Sequence, residues 1–78
     1  MATLRLFGPA REQAGVGSTE IPGQCVGAVL AEAETRFGKG FAQIVRTSQI
    51  WVNGNAADSE DLVSDDDEVA VIPPVSGG

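Results

Sequence analysis

Glu68-Val69-Ala70-Val71-Ile72-Pro73-Pro74-Val75-Ser76-Gly77-Gly78 is the stretch on which the reading of this 78-residue chain turns. Residues 68–72 are almost continuously apolar, which predicts a strand covered on both faces at the centre of a sheet. Pro73 ends it, because proline has no N–H to donate to a ladder. Pro73 and Pro74 also restrict the backbone just before the terminus. Glycine has no Cβ, so Gly77 and Gly78 can enter a channel too narrow for any other residue. The chain is expected to finish on a free Gly78 carboxylate. A carboxylate is a poor electrophile, but joined to AMP it becomes a reactive acyl group. The tail reads as a handle that other proteins activate.

Upstream, Thr3-Leu4-Arg5-Leu6-Phe7 alternates polar and apolar as a half-buried strand does. Gly8-Pro9 breaks it, and Arg11 to Gly17 is expected to be a loop or short turn. Ser18-Thr19-Glu20-Ile21 is a second short strand, making a hairpin with a wide connection. Val26, Val29, Leu30, Ala33 and Phe37 recur three or four apart, so a helix is predicted over 25–37. Glu32 and Arg36 form a favourable i, i+4 pair on it, and Gly38 is the expected left-handed terminator. Phe41 to Arg46 is short and apolar, a turn of helix or a packed loop. Gln49 to Asn53 reads as a strand running into an Asn53-Gly54 tight turn. Residues 55–67 are polar and loop-like, with Leu62 as the expected apolar anchor. The order strand, strand, helix, strand, strand predicts an α+β domain with one helix across a sheet. The first and last strands can lie parallel at its centre, which would project the tail off one end.

Composition narrows the function. The net charge is −6, and the five basic residues are scattered at Arg5, Arg11, Arg36, Lys39 and Arg46. No basic face for nucleic acid is visible, whereas an acidic carrier suits basic partner surfaces. No apolar run approaches the ~20 residues needed to cross a membrane. The N-terminus lacks a signal-peptide pattern, and a lone Cys25 fits a reducing compartment, so the expected location is cytoplasmic. There is no histidine, which removes Ser-His-Asp and Cys-His catalysis. Cys25 has no partner for zinc. The acidic run from Asp58 to Glu68 lacks the central glycine and alternate-ligand spacing of a calcium loop. It reads as a solvated loop whose aspartates favour the turn before the last strand. No metal site is expected, and an independent enzyme is not.

With these pieces in order, the chain resembles the small, sulfur-carrying subunit of molybdopterin synthase. The resemblance covers essentially the whole chain. It rests on Leu6-Phe7-Gly8-Pro9-Ala10-Arg11-Glu12, on Trp51-Val52-Asn53-Gly54, and above all on Asp67-Glu68-Val69-Ala70-Val71-Ile72 followed by Pro73-Pro74-Val75-Ser76-Gly77-Gly78. It implies a ubiquitin-like β-grasp domain over residues 1–74, with a mixed four- to five-stranded sheet and one main helix across it. Residues 75–78 would form a flexible tail.

The resemblance also implies a cycle. An ATP-dependent adenylating enzyme joins the Gly78 carboxylate to AMP, and a sulfur donor protein converts it to a thiocarboxylate. The large catalytic subunit of molybdopterin synthase, in a heterotetramer, then receives the tail and passes the sulfur to a pterin precursor. AMP and sulfur are transient on Gly78, and no cofactor is held permanently. Gly78 would carry the reacting carbonyl, with Gly77 leaving the tunnel unobstructed. Matched by position to the family's apolar docking surface are Phe7, Leu62 and Ile72, with Arg11 as a polar contact and Pro73, Pro74, Val75 and Ser76 leading into the partner. Carriers serving thiamine, cysteine or tRNA thiolation share the Gly-Gly end. A ubiquitin-like modifier, whose tail joins a target lysine, is the alternative of a different class.

Overall fold

Ala2, Leu4 and Leu6 are buried while Thr3 and Arg5 are not, and the strand they form, β1 (Ala2–Leu6), shows the alternation its sequence predicts. The computed structural model describes residues 1–74. β2 (Ser18–Ile21) pairs antiparallel with β1, setting Ala2 opposite Ile21 and Arg5 opposite Ser18. Between them the chain forms a helix, α1 (Gly8–Ala14), where a loop or turn is expected from the sequence. Gly8 adopts φ +54° to turn the chain out of β1, and Pro9 sits in the first helical turn, where its missing N–H leaves no gap. Read along the chain, Gly8-Pro9 looks like a terminator. In the fold it starts a helix, whose Ala10 is fully buried in the core.

α2 (Val26–Phe37) buries Val26, Val29, Leu30 and Ala33, the stripe its spacing predicts. Arg36 Nε lies 3.4 Å from Glu32 Oε2, one turn away. Gly38 ends α2 at φ 95° and ψ −174°, outside the left-handed helical basin expected of it, and leads straight into α3 (Lys39–Thr47). The short apolar stretch is thus a full nine-residue helix. Its Phe41 is completely buried and meets Phe37 edge-on at 5.2 Å. Burying such a ring contributes about 1.5–3 kcal/mol relative to leaving it in water.

β3 (Gln49–Val52) turns through Asn53 and Gly54, both at positive φ, into the two-residue β4 (Asn55–Ala56). That strand lies within the stretch read from sequence as loop. β5 (Glu68–Ile72) runs parallel to β1 and antiparallel to β3, so the sheet order is β2-β1-β5-β3-β4. β5 is central, as predicted, but its two faces are not equally covered. Val69 and Val71 are buried, whereas Ala70 and Ile72 are half-buried and Glu68 is exposed. One core holds the inward residues of the strands together with those of the three helices, so the helices share one side of the sheet. The result is an α+β β-grasp domain with one long helix and two shorter ones.

The loop before β5 is held by side chains. Asp67 Oδ1 accepts from Asn53 Nδ2 at 2.9 Å, and Asp67 Oδ2 accepts from the Ser64 N–H at 2.9 Å. Asn53 Oδ1 accepts from the Glu68 N–H at 3.0 Å. Asn53 thereby locks the β3–β4 turn to the start of β5. The hydrogen bond from Asn53, and then that from Ser64, hold the Asp67 carboxyl below its ordinary value of 3.8. A carboxyl depressed by folding stabilises the folded chain above the unfolded pKa, and that stabilisation fades as pH falls through the folded pKa. Denaturant midpoints measured from pH about 6 to about 2 should therefore fall less for Asp67→Asn than for the parent chain. Parallel falls would show that the network does not favour the charged form.

Candidate functional site

The parity of the strands defines the face that no helix covers. The register aligns Ser18, Arg5, Ala70, Trp51 and Ala56 across all five strands, on the side opposite the buried residues. Gln49 and Ile72 are opposite one another one step along. Phe7 continues the outward parity of Arg5 in extended backbone (φ −131°, ψ 152°) and is 42% exposed. The Arg5 guanidinium carbon stands 5.8 Å from the Phe7 ring centre, and Arg5 Nη1 lies 3.6 Å from Glu68 Oε2. Trp51 Nε1–H donates to Gln49 Oε1 at 3.2 Å, which satisfies the indole's polar edge within this face. Trp51, Ala70 and Ile72 are half-buried by their neighbours in the sheet, and together with Phe7 they form an apolar surface.

That surface adjoins the exit of the tail. β1 and β5 run parallel, with Leu6 opposite Val71, so Phe7 and Ile72 emerge at the same end. Pro73 is buried and Pro74 exposed there, and a cleft of about 310 Å³ opens between Thr47, Gln49, Ile72 and the two prolines. The last described residues are thus anchored by a packed proline rather than by a strand hydrogen bond.

Of the residues matched from sequence, Phe7, Ile72, Pro73 and Pro74 come together. Leu62 does not join them. It bridges to Cys25 beside the start of α2, at the end of the sheet where Ala2 and Ile21 pair. Nor is it the loop's anchor: Leu62 is 82% exposed, and the buried side chain is Val63. The Val63 N–H donates to the Gln24 carbonyl, and the Val26 N–H to the Asp61 carbonyl, a pairing that turns Leu62 outwards. Arg11 is exposed on α1, with its guanidinium against Gly17 rather than on the open sheet face. Val75, Ser76, Gly77 and Gly78, and with them the tail segment 75–78, lie outside the described residues. Sequence reasoning passed over Trp51, Ala70 and Arg5. Alternation in Gln49–Val52 could have paired Trp51 with Gln49, but only the pairing with β5 shows which side is open.

Among the described residues, no group of three His, Cys, Asp or Glu side chains could hold a metal ion. No described helix is long and apolar enough to cross a membrane.

A β-grasp sheet with an open apolar face, leading through paired prolines to Gly-Gly, defines a ubiquitin-like protein with the sulfur-carrier fold. The chain belongs to the ThiS family, whose profile matches residues 4–78. It is similar to small archaeal modifier protein 1 from Methanosarcina acetivorans, with 26% identity over 99% of this chain and 95% of that one and a TM-score of 0.89. A chain from the Amycolatopsis orientalis BexX/CysO complex is 25% identical over 100% of both chains, with a TM-score of 0.85. A putative molybdopterin converting factor subunit 1 from Pyrococcus furiosus is 28% identical over 95% of this chain and 97% of that one, with a TM-score of 0.79.

Proposed function

We propose that this chain is the sulfur-carrying subunit of a molybdopterin synthase. The observation that carries the reading is the exposed apolar surface of Phe7, Trp51, Ala70 and Ile72 beside the strand that leads to Gly77 and Gly78. Such a surface on a small acidic domain suits a partner that must grip the body while the tail reaches inside it. The Gly78 carboxylate attacks the α-phosphate of ATP, giving the acyl-adenylate and pyrophosphate. A sulfur donor then replaces AMP, leaving a thiocarboxylate. The large subunit of the synthase takes the tail, the sulfur passes to the pterin precursor, and the carrier returns with its carboxylate. Histidine is not required of the carrier, because the catalytic groups belong to the adenylating enzyme and to the large subunit. AMP and sulfur are the only groups that Gly78 bears, each for one step.

The likeness to the Pyrococcus protein supports this pathway. The likeness to an archaeal modifier protein favours a second reading, in which the activated tail joins an amine. The deciding experiment is intact mass with C-terminal fragmentation after incubation with ATP, the adenylating enzyme and a sulfur donor. Fragmentation separates sulfur on Gly78 from oxidation of Met1, Cys25 or Trp51. Sulfur on Gly78, followed by transfer to the pterin precursor on addition of the large subunit, is the expected result. Sulfur on Gly78 without that transfer would assign the carrier to another pathway. A tail left unmodified by an active enzyme would overturn the carrier reading.

A further inference from the structure

The row Ser18, Arg5, Ala70, Trp51 and Ala56 crosses the open face with one residue from each strand. β5 is the third of the five strands, so Ala70 is the midpoint of the row. Read from either end, the row runs small, large, small, large, small. Turned over onto a second copy about an axis along β5, it is complementary to itself: Ala70 meets Ala70, Arg5 meets Trp51 and Ser18 meets Ala56. The chemistry matches as well as the size. A guanidinium is attracted to the face of an indole, and the Trp51 Nε1–H is already satisfied by Gln49 Oε1 at 3.2 Å. One step along the strands, Ile72 would meet Ile72, with Phe7 opposite Gln49. An axis across the strands would instead set Ile72 over Glu68, so the axis along β5 is the one that buries apolar surface against apolar surface.

We infer that the free protein pairs with a second copy of itself through the open sheet face, as a weak two-fold dimer in which Arg5 of each copy lies on Trp51 of the other. Five strands about 4.8 Å apart and three outward rows about 6.8 Å apart make a face of roughly 24 by 14–20 Å, or about 700–1,000 Å² over both copies. That is below the ~1,200 Å² at which stable interfaces begin, so the pair is transient and yields to a larger partner. Charge opposes it. Each copy carries a net charge of −6, and the two Glu68 carboxylates face one another, each with its own Arg5 Nη1 at 3.6 Å. Salt screens that repulsion, so pairing strengthens as salt rises, whereas docking of an acidic carrier on a basic partner weakens. Pairing and docking of the large subunit would use one face and exclude each other. Until docking, pairing would keep the apolar surface from water. No step at Gly78 enters the inference.

Sedimentation of the unaltered chain from about 10 μM to about 1 mM, in low salt and in about 0.5 M salt, reads the pairing. The expected result is a monomer–dimer equilibrium that tightens several-fold with salt. The emission of Trp51, the only tryptophan, should move to shorter wavelength as the dimer forms. Arg5→Glu should weaken association by about tenfold or more, because two Arg–Trp contacts are lost per dimer. Leu62→Ser, at the other end of the sheet, should leave it unchanged. Cross-linking with a short bismaleimide reads the register, in a Cys25→Ser background that keeps a good helix cap at the start of α2. Ala70→Cys copies should join to one another at least about tenfold more than Ser18→Cys copies, whose strands lie about 19 Å apart across the axis. A mixture of Ser18→Cys and Ala56→Cys should join again. A chain that stays monomeric at about 1 mM in high salt would overturn the inference. So would association that Arg5→Glu leaves intact, or Ser18→Cys copies that join to one another as well as Ala70→Cys copies do. None of these measurements involves ATP, sulfur or a partner enzyme, so mass analysis of Gly78 reports on the carrier reading alone.

Discussion

Adding one alanine after Gly78, or removing Gly78, leaves the domain folded and stops sulfur transfer. The described core and sheet are built from residues 2–72, and the denaturation midpoint is expected to move by no more than the equivalent of about 0.5 kcal/mol. Chemistry at the terminus is far less tolerant. One residue shifts the reacting carbon by about 3.3–3.6 Å along an extended chain, and a misplacement of about 1 Å can cost on the order of 100-fold in rate. On the proposed reading, an added Cβ would also have to pass a channel shaped for glycine. Sulfur delivered per docked carrier should fall by more than about 100-fold. Near-normal delivery by the extended chain would show that the reach from the docked body to the acceptor is not set by the tail's length.

Phe7→Asp should separate binding from folding. Phe7 is 42% exposed and outside the core, and its ring centre lies 5.8 Å from the Arg5 guanidinium carbon. An exposed cation–π contact contributes about 0.5–1 kcal/mol. In a docked complex the same position would place a carboxylate in an apolar interface. Losing an anchor of that kind costs about 2 kcal/mol or more, which is roughly 30-fold in Kd. Calorimetry against the large subunit should therefore show a loss of at least about 30-fold, with a denaturation midpoint shifted by the equivalent of about 1 kcal/mol or less. Leu62→Ser is the matched control. Leu62 is more exposed than Phe7 but lies at the other end of the sheet, so its affinity should stay within about twofold of the parent. If Leu62→Ser weakened docking as much as Phe7→Asp, the partner would be gripping the acidic-loop end and the assigned face would be wrong.

Phe41 and Val63 show why local reading falls short. Three-residue spacing is too brief in Phe41–Arg46 to tell helix from loop, and α3 exists because Phe41 finds a core to enter and α1 and α2 lie against it. Leu62 and Val63 are adjacent and both apolar. Which of them turns inward is decided by the backbone bonds to Gln24 and Asp61, partners distant in sequence. Gly8-Pro9 is ambiguous for the same reason: proline ends a strand and opens a helix with equal ease, and only the packing of α1 selects the second.

What the chain states by itself is whatever follows from neighbouring residues. The alternation of β1, the stripe of α2, the Asn53-Gly54 turn and the proline stop after Ile72 are properties of local period and backbone sterics. The parallel pairing of the first and last strands follows from few alternatives for so short a chain. The Gly-Gly ending is likewise plain without coordinates, because its chemistry lies in the absence of side chains. The tertiary structure alone decided which side of the sheet lies open, and hence that Trp51 and Ala70 join Phe7 and Ile72 while Leu62 does not. The physical reason is that strand parity sorts residues into two sets but carries no sign. The sign comes when the three helices cover one set, a choice made by contacts between residues far apart in the chain.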